Sequence, residues 1–272
     1  MSSVDSAPSP PDRVSVVPLV PAWRVDRAYT YSVPEKLRGK LSTGSLVRVP
    51  FGGRNVRAVV VADEAADTAD TLLDIKQLIV EDPVAPPPLD RLVAWIADRY
   101  TTPRAICLSR TIPPRVRVKV PPAEPLAGGP APTDVTRLQG GAELVGAITR
   151  GEAGTWVVRP IASQDRGALI AELVAAAAPG AALVAVPEVR YGAPTLETLT
   201  KEWPDAARVD SSEEDADRAR GWLRLAAGHG LGLGGRAVVL APAPRLRLIV
   251  VDEEHHVSYK EDRSPRYDAR RV

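Results

Sequence analysis

The chain has 272 residues, with 35 Lys+Arg against 34 Asp+Glu, so its formal net charge is only +1. At 44% hydrophobic it can bury a core, and its length leaves room for two domains of ordinary size. A single cysteine, Cys107, excludes an internal disulfide framework and any cysteine-based zinc site within these residues, and no run of about 18 apolar residues offers a membrane span.

Residues 1–13 have no apolar stretch behind a positive start and read as a disordered leader, not a signal peptide, which favours a cytoplasmic protein. Residues 14–119 read as a small β-rich domain. VSVVPLV (14–20), AYTYSV (28–33), SLVRVPF (45–51) and RNVRAVVVA (54–62) are short β-branched or aromatic runs, with Gly52-Gly53 set for a hairpin turn. A further run, LLDIKQLIV (72–80), precedes a proline cluster. Helical spacing then returns at 88–100, where Leu89, Leu92, Val93, Ile96 and Tyr100 make one apolar stripe. Cys107 sits in what reads as a basic, β-like segment and suits a small core residue better than a nucleophile.

Residues 120–134, VPPAEPLAGGPAPTD, read as a Pro/Gly/Ala linker. Beyond it, residues 135–272 alternate strands and helices. TWVVR (155–159) reads as a strand, 165–178 as a helix and AALVAVP (181–187) as a buried strand. A helix near 194–202, a strand at 207–210 and a helix at 213–228 follow, the last capped by Ser211 or Ser212. RAVVLA (236–241) and LRLIVVDEEH (246–255) read as buried strands. The pattern implies an α/β fold: a β-rich domain followed by a doubly wound, mostly parallel sheet.

Charge is uneven along the chain. Residues 13–57 carry nine basic residues against Asp26 and Glu35, residues 63–98 carry nine acids against Lys76 and Arg91, and residues 104–119 hold only basic charges. This layout suits one polyanion-facing surface and a distinct solvated face, although scattered solvated arginines would give the same tally.

Apolar Leu248–Val251 runs directly into Asp252-Glu253-Glu254-His255, the sequence expected where a parallel strand delivers acids to its carboxyl end. In nucleoside triphosphatases such acids hold Mg²⁺ and orient water. The phosphate cradle that should face them falls at RPIASQDR (159–166), which has no glycine and no lysine, and in which Pro160 removes a donor and Asp165 adds negative charge. ATP hydrolysis by this lobe is therefore not expected, and the acids read as a relic with no catalytic residue. Gly230-Leu231-Gly232-Leu233-Gly234-Gly235 matches a dinucleotide fingerprint on paper, but it follows a helix and precedes a strand, so it reads as a flexible connection. Asp252 to His256 cannot converge on one ion because neighbouring strand residues point to opposite faces, and no metal site is expected.

Asp252-Glu253-Glu254-His255, then Ser258-Tyr259-Lys260, then Pro265-Arg266-Tyr267-Asp268-Ala269-Arg270 resemble the DEEH-x-x-SYK…PRY-x-AR signature of the PriA family of primosomal replication restart proteins. Gly234 to Val238 stands where that family has a GTRSA motif, and Val186-Pro187-Glu188-Val189 is similar to its VPEI segment. Asp26 to Tyr31, with Val47 to Gly52, resembles its N-terminal domain. The resemblance covers nearly everything from residue 14 onward. It implies a β-rich domain that binds DNA at a nascent 3′ end, followed by an incomplete RecA-like helicase lobe. It also implies a 3′-end pocket of Tyr29, Thr30, Tyr31, Gly52 and Lys76, with phosphate contacts from Arg48, Arg54 and Arg57. Thr30 stands where the family has an acid.

The family uses ATP with Mg²⁺, and zinc held by paired cysteines. The phosphate loop, the zinc cysteines, a winged helix and the second motor lobe have no counterpart in these residues, so no cofactor is expected. The partners implied are forked DNA with a 3′ end, single-strand DNA-binding protein and other primosome proteins, with a nucleoid location and no membrane. Two alternatives stay open: an active 3′-to-5′ ATP-dependent helicase, and a scaffold whose lobe docks a primosome partner.

Overall fold

A computed structural model describes residues 12–62, 71–189 and 193–272. The expected leader lies outside these residues except for its last two positions, as do the acids between 63 and 70.

Five strands form the first sheet: β1 (Arg13–Pro18), β2 (Tyr29–Ser32), β3 (Leu46–Phe51), β4 (Arg54–Val61) and β5 (Gln77–Leu78), in the order β2-β1-β4-β3-β5. Every pairing within it is antiparallel. The sheet closes on itself through the chain before β5. Ser32 N–H donates to Leu73 O (3.0 Å), Ile75 N–H to Ser32 O (3.1 Å) and Lys76 N–H to Arg48 O (2.9 Å). That change of partner explains why the run at 72–80 yields a strand of only two residues: its backbone bonds first to β2 and then to β3.

Strand alternation divides the barrel between two cores. Val16, Val47, Val49, Ala58 and Val60 turn inward with Tyr31 and Ile75. Val17, Leu46, Val59 and Val61 turn outward and pack under α1 (Pro87–Arg99) and α2 (Arg104–Thr111). Burial on both faces is why these strands read as nearly unbroken apolar runs. The expected helix at 88–100 forms as α1. The β-like reading around Cys107 is corrected: the segment is helical, with Ala105, Leu108 and the following Ile112 buried on one side. Its first N–H, on Arg104, donates 2.8 Å to Asp26 Oδ1, a cap supplied from 78 residues away that no local reading finds. Cys107 is buried, and desolvation pushes its thiol up to about 12, which fits a core residue.

The second sheet is parallel, in the order β7-β8-β6-β9, with β6 (Ala181–Ala185), β7 (Ala207–Arg208), β8 (Leu231–Gly234) and β9 (Leu246–Val251). Ala182 and Val184 face a core shared with α3 (Thr133–Arg137), α4 (Gly141–Arg150), α5 (Arg166–Ala176) and α6 (Pro194–Glu202). Leu183 and Ala185 face the opposite way, toward α7 (Asp215–Ala226). Helices thus cover both faces, as expected of a doubly wound sheet.

Four details differ from the sequence reading. The third strand of this sheet is Leu231–Gly234, not 236–241, which forms a 3₁₀ turn. Glycine suits it because a Cβ on Gly232 would lie 2.6 Å from the Leu183 side chain and 3.0 Å from that of Leu225. TWVVR (155–159) forms no strand and leaves Trp156 and Val157 exposed. Strand β9 is an edge strand with Leu246 and Ile249 exposed, so it is not buried as expected. Neither Ser211 nor Ser212 caps α7, whose N-cap position is Glu214. Ser212 instead donates its N–H 2.9 Å to Asp210 Oδ1.

Residues 120–134 lie against the lobe. Leu126 is buried in the core of α4–α6, Glu124 O accepts the Gly230 N–H (2.8 Å) and Ala127 O accepts the Trp203 indole N–H (3.0 Å). The outer core of the barrel is continuous with the α7 face of the parallel sheet, and Trp222 Nε1 crosses that junction to donate 3.0 Å to Val84 O.

Candidate nucleic-acid interface

The β3–β4 hairpin turns at Gly52 and Gly53, whose φ angles of +56° and +77° give the doubly left-handed turn that two-residue hairpins favour. A Cβ at either position would meet nothing within 4 Å, so these glycines serve the backbone angle and leave an open tip. Beside the tip, Tyr29 stands edge-to-face with Phe51, their ring centroids 5.0 Å apart. The Arg27 guanidinium lies over the Tyr29 ring at 4.7 Å. Arg54 pairs with Phe51 across the turn and is exposed.

Tyr31 shares the Tyr29 face, two residues along the strand, but is buried and donates its hydroxyl 2.8 Å to Pro50 O. Burial, with Tyr29 second, raises its pKa above the usual phenol range. It braces the β2–β3 contact and is not free to stack on a base. Thr30 faces the other side of the sheet, opposite Ser15. Lys76 is exposed on the closing segment, tied to β3 through its own N–H.

The expected phosphate set divides between faces. Arg48 and Arg57 are cross-strand neighbours on the outward face, whereas Arg54 sits at the turn with the aromatics. Arg57 donates to Pro114 O (2.9 Å) and Pro113 O (3.3 Å), tying down the chain after α2. Desolvation first, then Arg48, lowers its pKa. The pair Arg27 and Phe51 completes the barrel site, and the expected pocket omitted both. Their signal was present: a cation two residues before the first aromatic, and an aromatic immediately before the Gly-Gly turn.

A second feature opens at the carboxyl ends of β6, β7 and β8. A cleft of about 370 Å³ is lined there by Val186, Asp210, Gly235, Arg236 and Tyr267, with Arg110 contributed by the end of α2. Two of its acids, Asp210 and Glu261, are engaged by arginines. Arg208 pairs with Asp210 at 2.9 Å, and Arg236 donates to Glu261 Oε2 (2.7 and 3.1 Å). Arg110 and Arg263 line the same cleft and are exposed.

The acids after β9 lie outside that cleft. Asp252 is buried and accepts the Thr195 hydroxyl at 2.8 Å, while Glu253 takes a left-handed backbone angle, φ +48°. Tyr259, buried beneath, donates its hydroxyl to Ala185 O (2.9 Å) and Asp252 O. Glu254 and His255 face solvent. Among the described residues, no group of three or more His, Cys, Asp or Glu gathers as a metal-binding set, and no helix is long and apolar enough to cross a membrane.

Residues 15–113, which contain the barrel except the first two residues of β1, together with α1 and α2, match the family model for the PriA 3′DNA-binding domain. Proteins named replication restart protein PriA match more of the chain. That of Treponema pallidum is 26% identical over 260 residues, covering 91% of this chain and 40% of its own length. This chain is PriA-like. The Bacillus subtilis PriA is 30% identical over 117 residues, 42% of this chain and 14% of that protein. The protein named probable replication restart protein PriA in Mycobacterium tuberculosis is 28% identical over 266 residues, again 91% of this chain and 40% of its own. The chain thus spans about two fifths of the PriA relatives that match along most of it. The aromatic–arginine cluster at the hairpin tip falls within the matched domain.

Proposed function

We propose that this protein binds DNA at the 3′ end of a strand at a fork and serves replication restart. One observation carries the reading: within the matched 3′DNA-binding domain, Arg27 lies over Tyr29, and Tyr29 stands edge-to-face with Phe51, beside the open Gly52–Gly53 tip. A terminal base stacks on the exposed side of this aromatic pair, and Arg27, Arg54 and Lys76 neutralise the adjoining phosphates. The strand continues along α2, whose eight residues span about 12 Å. It then reaches the basic rim of the cleft at Arg110 and Arg263.

The test compares fork affinity with a free and a 3′-phosphorylated nascent end, in wild type and in Tyr29→Ala and Arg27→Ala variants. Blocking the end should weaken binding at least several-fold. Tyr29→Ala should cost roughly 1–3 kcal/mol, the worth of one stacked base. Equal affinity for both ends would remove the end-recognition reading. Intact binding by both variants would remove the site.

A second reading, in which the lobe also docks a primosome protein such as single-strand DNA-binding protein, is favoured by the exposed apolar side chains Trp156, Val157, Ile161, Leu246 and Ile249. On that reading, Ile249→Arg abolishes association with the single-strand DNA-binding protein and leaves fork affinity unchanged. ATP-driven unwinding is not part of the proposal, because residues 159–166 lack the glycines and lysine of a phosphate cradle.

A further inference from the structure

The fold family implies Mg²⁺ with a nucleotide at the acids after the parallel strand, and the residues present do not fit that group. Three observations meet there. Asp165 caps α5, accepting the Ala168 N–H at 3.1 Å, so a carboxylate already occupies the helix end that would face a phosphate. Pro160 has no N–H to offer, and the Ile161 N–H is taken by Gln164 Oε1 at 3.0 Å. Arg166, the residue after the Asp165 cap, turns its guanidinium onto both acids: Nε lies 2.9 Å from Asp252 Oδ1, and a terminal nitrogen donates 2.6 Å to Glu253 Oε1.

We infer that Arg166 is the chain's own replacement for the divalent cation, an internal charge partner that closes the Asp252–Glu253 site to metal. Adjacent carboxylates held at a strand end repel unless a cation lies between them. The planar guanidinium fork can satisfy two carboxylates at once, which a lysine ammonium does less well. Buried Asp252 is fixed further by Thr195, so the acids cannot turn away to relieve repulsion. Arg166 is carried on the first turn of α5 and surrenders no translational freedom to bind, whereas a hydrated ion does. Its side chain is 42% exposed, so the pair can be opened by substitution without emptying the core. The inference concerns the lobe alone and is independent of how the barrel treats DNA.

The experiment is a Mn²⁺ titration of the full chain, reading free Mn²⁺ by electron paramagnetic resonance. The proteins are wild type, Asp252→Asn, Arg166→Gln and the Arg166→Gln/Asp252→Asn double variant. Wild type and Asp252→Asn should take up Mn²⁺ equally weakly. Arg166→Gln should gain a site at least tenfold tighter, and adding Asp252→Asn should remove it. Mn²⁺ uptake by wild type tighter than that of Asp252→Asn would overturn the inference, and so would a folded Arg166→Gln that gains no site. The wild-type comparison stands even if Arg166→Gln fails to fold. Fork affinity measured on the same proteins should not change with Arg166→Gln, which separates failure here from failure of the DNA-binding proposal.

Discussion

His229 shows how a residue with no legible role acquires one from its surroundings. In the sequence it lies beside a glycine run with no evident partner. In the fold its Nδ1 accepts the Glu124 N–H at 3.2 Å while Nε2 lies 2.9 Å from Asp205 O, which fixes the proton on Nε2. Burial, followed by Arg224, holds its pKa below the usual histidine value. The unfolded chain therefore takes up the proton first, and the stabilisation is complete above about pH 6.5 and falls away as pH drops toward the folded-state value. Urea midpoints between pH 7 and 5 should decline in wild type, and less steeply in His229→Gln. Asp268, held below the usual aspartate range by its bond to Arg270, acts in a separate, more acidic window. The tyrosines make the same point. Tyr29 and Tyr31 have equal standing in the sequence, yet only the Pro50 carbonyl tells the buried brace from the half-buried ring.

Among the elements, those resting on local period were readable: the barrel strands, α1, and helices near α5, α6 and α7 all lie within a few residues of their expected spans. The misplaced ones depend on neighbours. LGLG becomes a strand because Leu183 and Leu225 fill the space its missing side chains leave, while TWVVR has strand composition and forms none. Two glycines separate these influences experimentally. Gly44 has φ +89°, and a Cβ there would lie 2.0 Å from Ala85 O, a backbone atom that cannot swing aside. Gly44→Ala should cost at least about 2 kcal/mol in urea denaturation. Gly52→Ala, with open space around it, should cost only about 1 kcal/mol, the penalty of the left-handed angle.

At the scale of the molecule, the barrel and the α/β lobe share one core, from Val17 and Leu46 through Leu108 to Trp222 and Tyr259. A DNA 3′ end bound at the barrel, as proposed above, would thereby be held in fixed relation to the cleft. Thermal unfolding should consequently give coincident single transitions by far-ultraviolet circular dichroism and tryptophan fluorescence. Trp222→Phe removes the donor to buried Val84 O and should lower stability by about 1–3 kcal/mol. Two separated transitions would show that the shared core does not couple the halves.

The strand-rich first half, the alternating second half, the basic character of the barrel and the lack of glycine and lysine at residues 159–166 were legible in residue order, because period, turn chemistry and composition are local properties of the chain. Tertiary structure alone decided that Asp26 caps α2, that Arg57 serves the fold, that the arginines of the barrel divide between two faces, and that Arg166 meets Asp252 and Glu253. Three of those are contacts between residues tens of positions apart, and the division of the arginines follows from which face of each strand is packed. Such contacts depend on how the sheets close and stack, and hydrophobic patterning leaves that open until the core is packed.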